Sequence, residues 1–443
     1  MLRDRNATFT SPAQYHVYKK LLERQTHLVS ISGTGSGKTL PFQLAILSWP
    51  PETRAVMVLP YQVLHNDMKR RFNGIGISCG KWHSGNHNPT ERVITLSIES
   101  FSSQACIGWL NDLANSGKLG AIMYDEAHGL VEDSTFRDAY DCSITKLMQL
   151  QNCPILFCSA TLPPQYMHAF WNVLKAEFRP QDTVQVIRSP TQRHNICYQV
   201  LDCKVGHPPP RTAYKFDEWQ EKWVTVTIKF IRVIASFLNV GKGERGVVFF
   251  GSDEDCRLWA GHLQCPYIIG DVDVEQRVEG FRKWREGQTA LICLNKAGFY
   301  GFDYPSIRFA IMVGAPWSMT EFMQSSGRIG RDGEFSSCIT LLPSAAKKPF
   351  PQAEESFSGK KAIGLMLHAS GECLRYFQSH HMDGNPVTCS DLQRTMERRV
   401  APCSACFPKL HLNEDEDEDE DGDLEFWAEP WGKFAYPSHG YLT

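Results

Sequence analysis

The chain has 443 residues, 42% hydrophobic and 21% charged, with a formal net charge of −3. That length divides into two or three domains, and the composition excludes collagenous and wholly disordered classes. No run of 18 or more apolar residues occurs, so no membrane span is expected, and Met1-Leu2-Arg3-Asp4-Arg5-Asn6 lacks the apolar stretch of a secretory signal. The net charge conceals an asymmetry. Glu414 to Asp421 are eight consecutive acids, followed by Asp423 and Glu425, and without those ten the rest of the chain carries +7. A mildly basic body suits a nucleic-acid binder without requiring one. Most of the 15 cysteines are isolated within apolar segments, such as Cys158, and read as buried thiols of a reducing compartment.

In chain order, the first strong signal is Ser32-Gly33-Thr34-Gly35-Ser36-Gly37-Lys38-Thr39, between the apolar run 28–31 and a helix-like segment 40–47. Strand, glycine-rich loop and helix are the context of a phosphate-binding loop. The glycines let successive N–H groups turn toward phosphate oxygens, and the helix adds its positive dipole end. Lys38 would reach the β- and γ-phosphates of a nucleoside triphosphate, and the Thr39 hydroxyl would bind Mg²⁺. Ser32 stands where the full motif has its first glycine. Further strands are expected at 55–59, 93–96, 121–124 and 155–159. Asp125-Glu126-Ala127-His128 follows the fourth strand, so its carboxylates should lie beside the phosphate loop. Asp125 would hold Mg²⁺ and Glu126 would orient the attacking water. Ser159-Ala160-Thr161 ends the next strand, placing its hydroxyls to sense that acidic segment.

A Pro- and charge-rich loop spans 205–216, and 219–238 reads as a helix. A second set of strands follows at 246–250, 267–269, 290–294, 309–313 and 337–341, so two α/β domains in tandem are expected. Within the second set, Gln324-Ser325-Ser326-Gly327-Arg328-Ile329-Gly330-Arg331-Asp332-Gly333 puts two arginines three apart, read as one helical face. Such arginines can stabilise transition-state charge on a γ-phosphate. Residues 347–361 read as a loop and 362–379 as a helix. Cys373, Cys389, Cys403 and Cys406 then form a C-x15-C-x13-C-x-x-C set, whose four thiolates would close a structural Zn²⁺ site, with His380 and His381 as alternative ligands. The acidic run reads as a solvated tail, with a docking peptide for a protein partner or a DNA mimic as its functional alternatives.

Together these motifs resemble the superfamily 2 helicases and, within them, the RecQ family of DNA helicases. The narrower likeness rests on Phe9-Thr10-Ser11-Pro12-Ala13-Gln14, similar to an adenine-reading motif, and on Gly37 through Gln43. It rests also on Val58 through Leu64, Phe136-Arg137-Asp138-Ala139-Tyr140, Arg193-His194-Asn195-Ile196 and Asp303-Tyr304-Pro305-Ser306-Ile307-Arg308. The resemblance runs from Phe9 to Cys406. It implies an α/β fold of two tandem RecA-like domains, parallel sheets flanked by helices, with a small C-terminal zinc-binding helical subdomain. The implied divisions are 1–170, 171–345, 346–410 and a tail at 411–443. It further implies ATP bound between the domains, with Gln14, Gly33, Thr34, Gly35, Ser36, Gly37, Lys38, Thr39, Asp303 and Gln324 toward the nucleotide. Lys38, Asp125, Glu126, His128, Arg328 and Arg331 are the implied catalytic set, and Thr39 and Asp125 the Mg²⁺ ligands. The implied activity is ATP-driven 3′→5′ translocation on single-stranded DNA and duplex unwinding, in DNA repair or recombination, hence a nuclear location.

The chain departs from the family pattern in three places. Gly129 to Ser134 carries two acids where the aromatic-rich loop has a tryptophan, Gly298-Phe299 is in swapped order, and Tyr267 to Asp271 lacks a histidine. No winged-helix or HRDC domain is expected. These departures leave open a second reading, a helicase-like DNA-binding protein with weak or uncoupled ATP hydrolysis. The Asp-Glu-Ala-His tetrapeptide also occurs in RNA helicases, a third reading that the cysteine set disfavours.

Overall fold

The computed structural model describes residues 8–407, apart from 25–26, 61–62, 87, 133–137, 151–152, 176–183, 207–208, 210–211, 213–214, 296–297, 299–302, 344–355 and 370. The chain forms two compact units, Met1–Thr191 with 300–302 and 382–384, and Gln192 onward for the remainder. The expectations for Phe136, Arg137, Tyr61, Gln62, Phe299 and the acidic tail lie outside the described residues. No helix among those described is long and apolar enough to cross a membrane.

The first unit runs α1 (Pro12–Glu23), β1 (His27–Ile31), α2 (Leu40–Ser48), β2 (Arg54–Leu59), α3 (Val63–Gly74), β3 (Cys79–Lys81), β4 (Val93–Ser97), α4 (Gln104–Asn115), β5 (Leu119–Tyr124), α5 (Gly129–Glu132), α6 (Asp138–Met148), β6 (Ile155–Ser159), α7 (Met167–Lys175) and β7 (Val184–Arg188). Its seven strands are ordered β3-β4-β2-β5-β6-β1-β7, all parallel. β4, β5 and β6 are buried along their whole length, as expected of strands with helices on both faces. β7 pairs with β1 from Val184 to Arg188, so the first sheet continues beyond residue 170. β3 and β7 escaped the sequence reading because short edge strands carry little apolar signal.

The second unit comprises β8 (Ile196–Cys203), α8 (Phe216–Ser236), β9 (Arg245–Phe250), α9 (Asp253–Leu263), β10 (Tyr267–Ile268), α10 (Val274–Arg285), β11 (Leu291–Leu294), β12 (Ile307–Val313), α11 (Met319–Ser326), β13 (Ser336–Pro343), α12 (Lys360–His368), α13 (Leu374–Asp383) and α14 (Cys389–Thr395). Its six-stranded sheet, β10-β11-β9-β12-β13-β8, is also parallel. The unexpected edge strand β8 is shielded by the following loop, where the Ala401 and Ser404 amides donate to the His194 and Tyr198 carbonyls at 2.7 and 2.9 Å. An uncovered edge would expose unpaired backbone groups. Two helices replace the single helix expected over 362–379: α12 ends at His368, and Gly371 adopts φ 79°, a left-handed turn that carries Cys373 to the start of α13.

Local chemistry sets the ends of several helices. The Ser11 hydroxyl accepts from the Gln14 amide at the start of α1, and Thr388 and Asp391 form a reciprocal capping box on α14. Inside the first unit, buried His65 contacts Thr95 Oγ1 through Nδ1 at 2.7 Å. Thr95 donates its own proton to the Gly80 carbonyl, so Nδ1 carries the histidine proton, and Nε2 is buried with no hydrogen-bond partner among the described residues. Charging that ring would strand a cation. Burial, then Lys81, accordingly holds the His65 pKa down at about 4. A histidine depressed from its ordinary value stabilises the fold fully above pH 6.5 and loses that contribution as pH falls toward 4. His65→Gln should flatten this acid limb, removing on the order of 2 kcal/mol of pH dependence in urea titrations between pH 7 and 4.

Candidate active site and cysteine centre

The sheet order of the first unit gathers three segments named above. β5, β6 and β1 are neighbours, so the segments leaving their C-terminal ends emerge side by side: Asp125–His128, Ser159–Thr161 and the loop from Ser32. The Ser32 amide donates to the Ser159 carbonyl at 3.2 Å and the Ala127 amide to the Cys158 carbonyl at 2.8 Å. In the phosphate loop Gly35 and Gly37 both adopt φ 75°, a conformation costly for other residues. A Cβ on Gly33 would stand 2.9 Å from the Thr191 carbonyl oxygen. The Ser36 hydroxyl donates to that of Ser32 at 3.0 Å, so the serine in place of the first glycine ties the loop across itself. Lys38 Nζ donates to the Ser32 and Gly33 carbonyls at 3.2 and 3.3 Å. Thr39 caps α2 without a side-chain capping bond. Gln14 engages the loop, its amide nitrogen donating to the Ser36 carbonyl at 2.6 Å and its amide oxygen accepting from the Thr10 amide.

Asp125 is half-buried at the end of β5, and its carboxyl pKa is raised to about 6, by burial first and by Glu126 second, while nearby Lys38 pulls the other way. A half-buried carboxylate short of counter-charge is what a divalent cation would satisfy, and the Thr39 hydroxyl suits the same ion. Glu126 sits at φ 50°, a left-handed conformation uncommon for a branched-off side chain residue, and its Oε2 lies 3.4 Å from His128 Nδ1. His128 is buried, with Nδ1 3.2 Å from the Ser159 hydroxyl, which also accepts from the Thr161 amide at 3.0 Å. A contiguous path therefore joins Glu126, His128, Ser159 and Thr161. Glu132, one of the two acids replacing the aromatic signature, places a carboxylate oxygen 4.0 Å from His128 Nε2.

The arginines of the second unit occupy a turn, not the helical face expected. α11 ends at Ser326, and Arg328 and Arg331 lie on the following connection to β13. Gly330 adopts φ 55° there, and a Cβ on it would meet Asn195 Nδ2 at 2.7 Å, Ser336 Oγ at 2.8 Å and the Glu334 carbonyl at 2.9 Å. The tight, left-handed backbone at Gly330 keeps the segment between the two arginines out of a helix. Arg331 pairs with Asp303, Nη1 to Oδ1 at 2.6 Å. Thus two residues assigned separately to catalysis and to nucleotide contact meet each other in this structure. Asp332 is gripped by Arg308 through two hydrogen bonds of 3.0 and 2.6 Å, and Glu244 flanks the same guanidinium.

Cys373, Cys389, Cys403 and Cys406 bring their sulfurs within 4.8 Å of one another. The Cys373–Cys389 and Cys373–Cys403 sulfur separations are 3.7 and 3.8 Å. Zinc–thiolate bonds of about 2.3 Å in a tetrahedron give sulfur–sulfur edges of about 3.8 Å. Backbone amides aim at the sulfurs as well: Cys389 N at Cys373, Leu374 N at Cys403 and Cys403 N at Cys389, all at 3.3–3.4 Å. Such donors favour the thiolate form a metal needs. The donor set and spacing therefore fit Zn²⁺. Neither alternative histidine joins the cluster; His380 stacks on Tyr376 at 6.0 Å, and His381 is buried beside Gly359.

Sequence reasoning gave Arg193, Asn195, Arg308 and Arg375 no role beyond a family likeness. A buried arginine has no periodic signature, and only the folded chain shows which carbonyls it collects. Gly330→Ala is expected to lower stability by roughly 2–4 kcal/mol, because it adds strained backbone and three close contacts. Urea denaturation of the full chain measures it.

Residues 11–170 match the DEAD/DEAH box helicase family, and residues 229–333 match the helicase conserved C-terminal domain. Among curated relatives, the chain is 26% identical over 338 residues to the RecQ-like DNA helicase blm-1 of Caenorhabditis elegans, covering 70% of this chain and 31% of that protein. It is 27% identical to the ATP-dependent DNA helicase Q-like 2 of Arabidopsis thaliana, covering 71% of this chain and 44% of that protein. The matches thus span about a third to a half of those relatives. In fold, it is similar to the helicase MrfA bound to DNA, with TM-score 0.59, 18% identity, and coverage of 90% of this chain and 57% of that one. It is also similar to the Mycobacterium smegmatis helicase Lhr bound to single-stranded DNA and AMP-PNP, with TM-score 0.57, 18% identity, and coverage of 85% and 48%. Two consecutive helicase domain matches, two parallel RecA-like sheets and RecQ-like relatives over some 70% of its length make this chain similar to the RecQ-like helicases.

Proposed function

We propose that the chain is the core of an ATP-dependent DNA helicase that translocates 3′→5′ on single-stranded DNA and unwinds duplex, acting in repair or recombination within the nucleus. The observation that carries the reading is the convergence of the Lys38 loop, the half-buried Asp125 carboxylate and the Glu126–His128–Ser159 path at adjoining strand ends. DNA as the substrate rests on the RecQ-like relatives, named DNA helicases, and on the cysteine centre.

In this mechanism Lys38 leaves the Ser32 and Gly33 carbonyls and moves to the β- and γ-phosphates of ATP. Gly33 through Gly37 present their amides to the phosphates. Gln14 exchanges its Ser36 carbonyl for the adenine edge or continues to brace the loop. Thr39 and Asp125 would hold Mg²⁺, which when bound neutralises phosphate charge. Glu126 orients the attacking water and takes its proton at a carboxylate oxygen, while His128 keeps the Glu126 carboxylate in place and reports its state to Ser159. Arg331 leaves Asp303 and, with Arg328, meets charge developing on the γ-phosphate. Asp303 and Gln324 complete the nucleotide contacts of the second unit. Cys373, Cys389, Cys403 and Cys406 would hold a structural Zn²⁺.

The uncoupled reading keeps one observation in its favour. Glu132 sets a negative charge beside His128 where the family presents an aromatic, and an acid repels the DNA phosphates that should trigger hydrolysis. ATP turnover by the purified chain with single-stranded DNA, RNA or neither separates the readings. Strong DNA-specific stimulation, falling at least about 10²-fold in Lys38→Ala, supports the helicase; turnover indifferent to DNA points to the uncoupled protein. Unwinding of 3′-tailed but not 5′-tailed duplex tests the direction. Elemental analysis should find about one zinc per chain, and Cys403→Ser should lose it together with roughly 2–5 kcal/mol of stability; a folded metal-free protein would exclude the zinc site.

A further inference from the structure

The Arg328–Arg331 turn is attached to the second unit through its backbone, and two side chains far upstream make the attachment. Arg193 Nη2 donates to the Gly330 carbonyl at 2.6 Å and to the Ile329 carbonyl at 3.3 Å. Asn195 Nδ2 donates to the same Gly330 carbonyl and to that of Glu334, each at 2.8 Å. Arg193 also donates from Nε and Nη2 to Asn195 Oδ1, at 3.3 and 3.2 Å, which fixes the direction of the Asn195 amide. The clamped carbonyls belong to the two residues lying between the arginines.

The clamp is itself held from behind. Arg375, wholly buried, donates through Nη1 to the Arg193 carbonyl at 2.8 Å and through Nη2 to the Ile196 and Ala401 carbonyls at 2.5 and 3.1 Å. Its guanidinium lies 4.9 Å from the centre of the Tyr198 ring. The neighbouring Leu374 amide is bonded to Cys403. A guanidinium completely removed from water survives only by collecting acceptors in this way.

We propose that Arg193 and Asn195 are positioning residues for ATP hydrolysis: they hold the 329–330 backbone so that Arg328 and Arg331 present their guanidiniums at the angle the γ-phosphate requires. Arg375 keeps their own backbone in register. The inference rests on the proposed ATPase, in which neither residue touches nucleotide. Displacing a charge-stabilising group by about 1 Å costs on the order of 10²-fold in rate, so the clamp governs turnover more than binding.

The test uses the full chain carrying Asn195→Ala or the milder Arg193→Lys. DNA-stimulated kcat should fall about 10–100-fold, with KM for ATP, single-stranded DNA affinity and zinc content each within about twofold of the parent. Arg331→Ala combined with Asn195→Ala should be no slower than Arg331→Ala alone, since residues acting through one group are non-additive. Unchanged kcat, or losses that multiply, overturns the proposal. A second readout needs no activity: trypsin cleavage after Arg328 and Arg331 should be several-fold faster in Asn195→Ala, with equal cleavage rates counting against the clamp. If the parent hydrolyses no ATP, the function fails; the cleavage comparison still decides whether the two residues hold the turn.

Discussion

The half-buried carboxylate of Asp125 is the constraint around which the first unit is organised. Its position at the end of a fully buried central strand takes it partly out of water, and the adjacent Glu126 adds repulsion that Lys38 relieves only in part. An uncompensated buried charge is expensive, and the surroundings answer it with an arrangement suited to recruiting a cation and a phosphate. The left-handed backbone of Glu126 belongs to the same design. It turns one acid inward and leaves the next within reach of His128.

The second unit meets a different demand, the presentation of two arginines on an irregular turn. Side-chain donors on Arg193 and Asn195 supply the order that a helix would otherwise provide, and the Arg308–Asp332 pair secures the far side of the turn. The Arg331–Asp303 ion pair keeps the guanidinium partnered. In the proposed mechanism Arg331 would exchange this anion for phosphate, which would tie its availability to phosphate charge.

The cysteine centre answers a problem of size and of edges. The loop carrying Cys403 lies along β8, the otherwise open edge of the second sheet, and Arg375 joins that loop to the 193–196 segment. A module of three short helices has too little apolar surface to stabilise itself. The four convergent sulfurs, with amides aimed at them, are placed so that a bound Zn²⁺ would supply a cross-link in place of a core.

Much of this was legible from residues alone. Continuous apolar runs announced the central parallel strands, because strands buried on both faces need no alternation. The glycine-rich loop, the Asp125–Glu126 pair and the cysteine spacing are local patterns whose chemistry demands particular residue types, so the sequence by itself determined the fold class and marked the candidate phosphate- and metal-binding residues. Tertiary structure alone decided the rest. The edge strands β7 and β8 exist through pairing with distant partners. Arg328 and Arg331 sit on a turn beyond the end of α11, with Asn195, distant in sequence, packed against Gly330 between them. Which carbonyls Gln14, Arg193 and Arg375 collect depends on contacts across as many as 182 positions of chain. Hydrogen-bond partners of that kind are set by where the backbone arrives in space, and short-range sequence patterns carry no record of it.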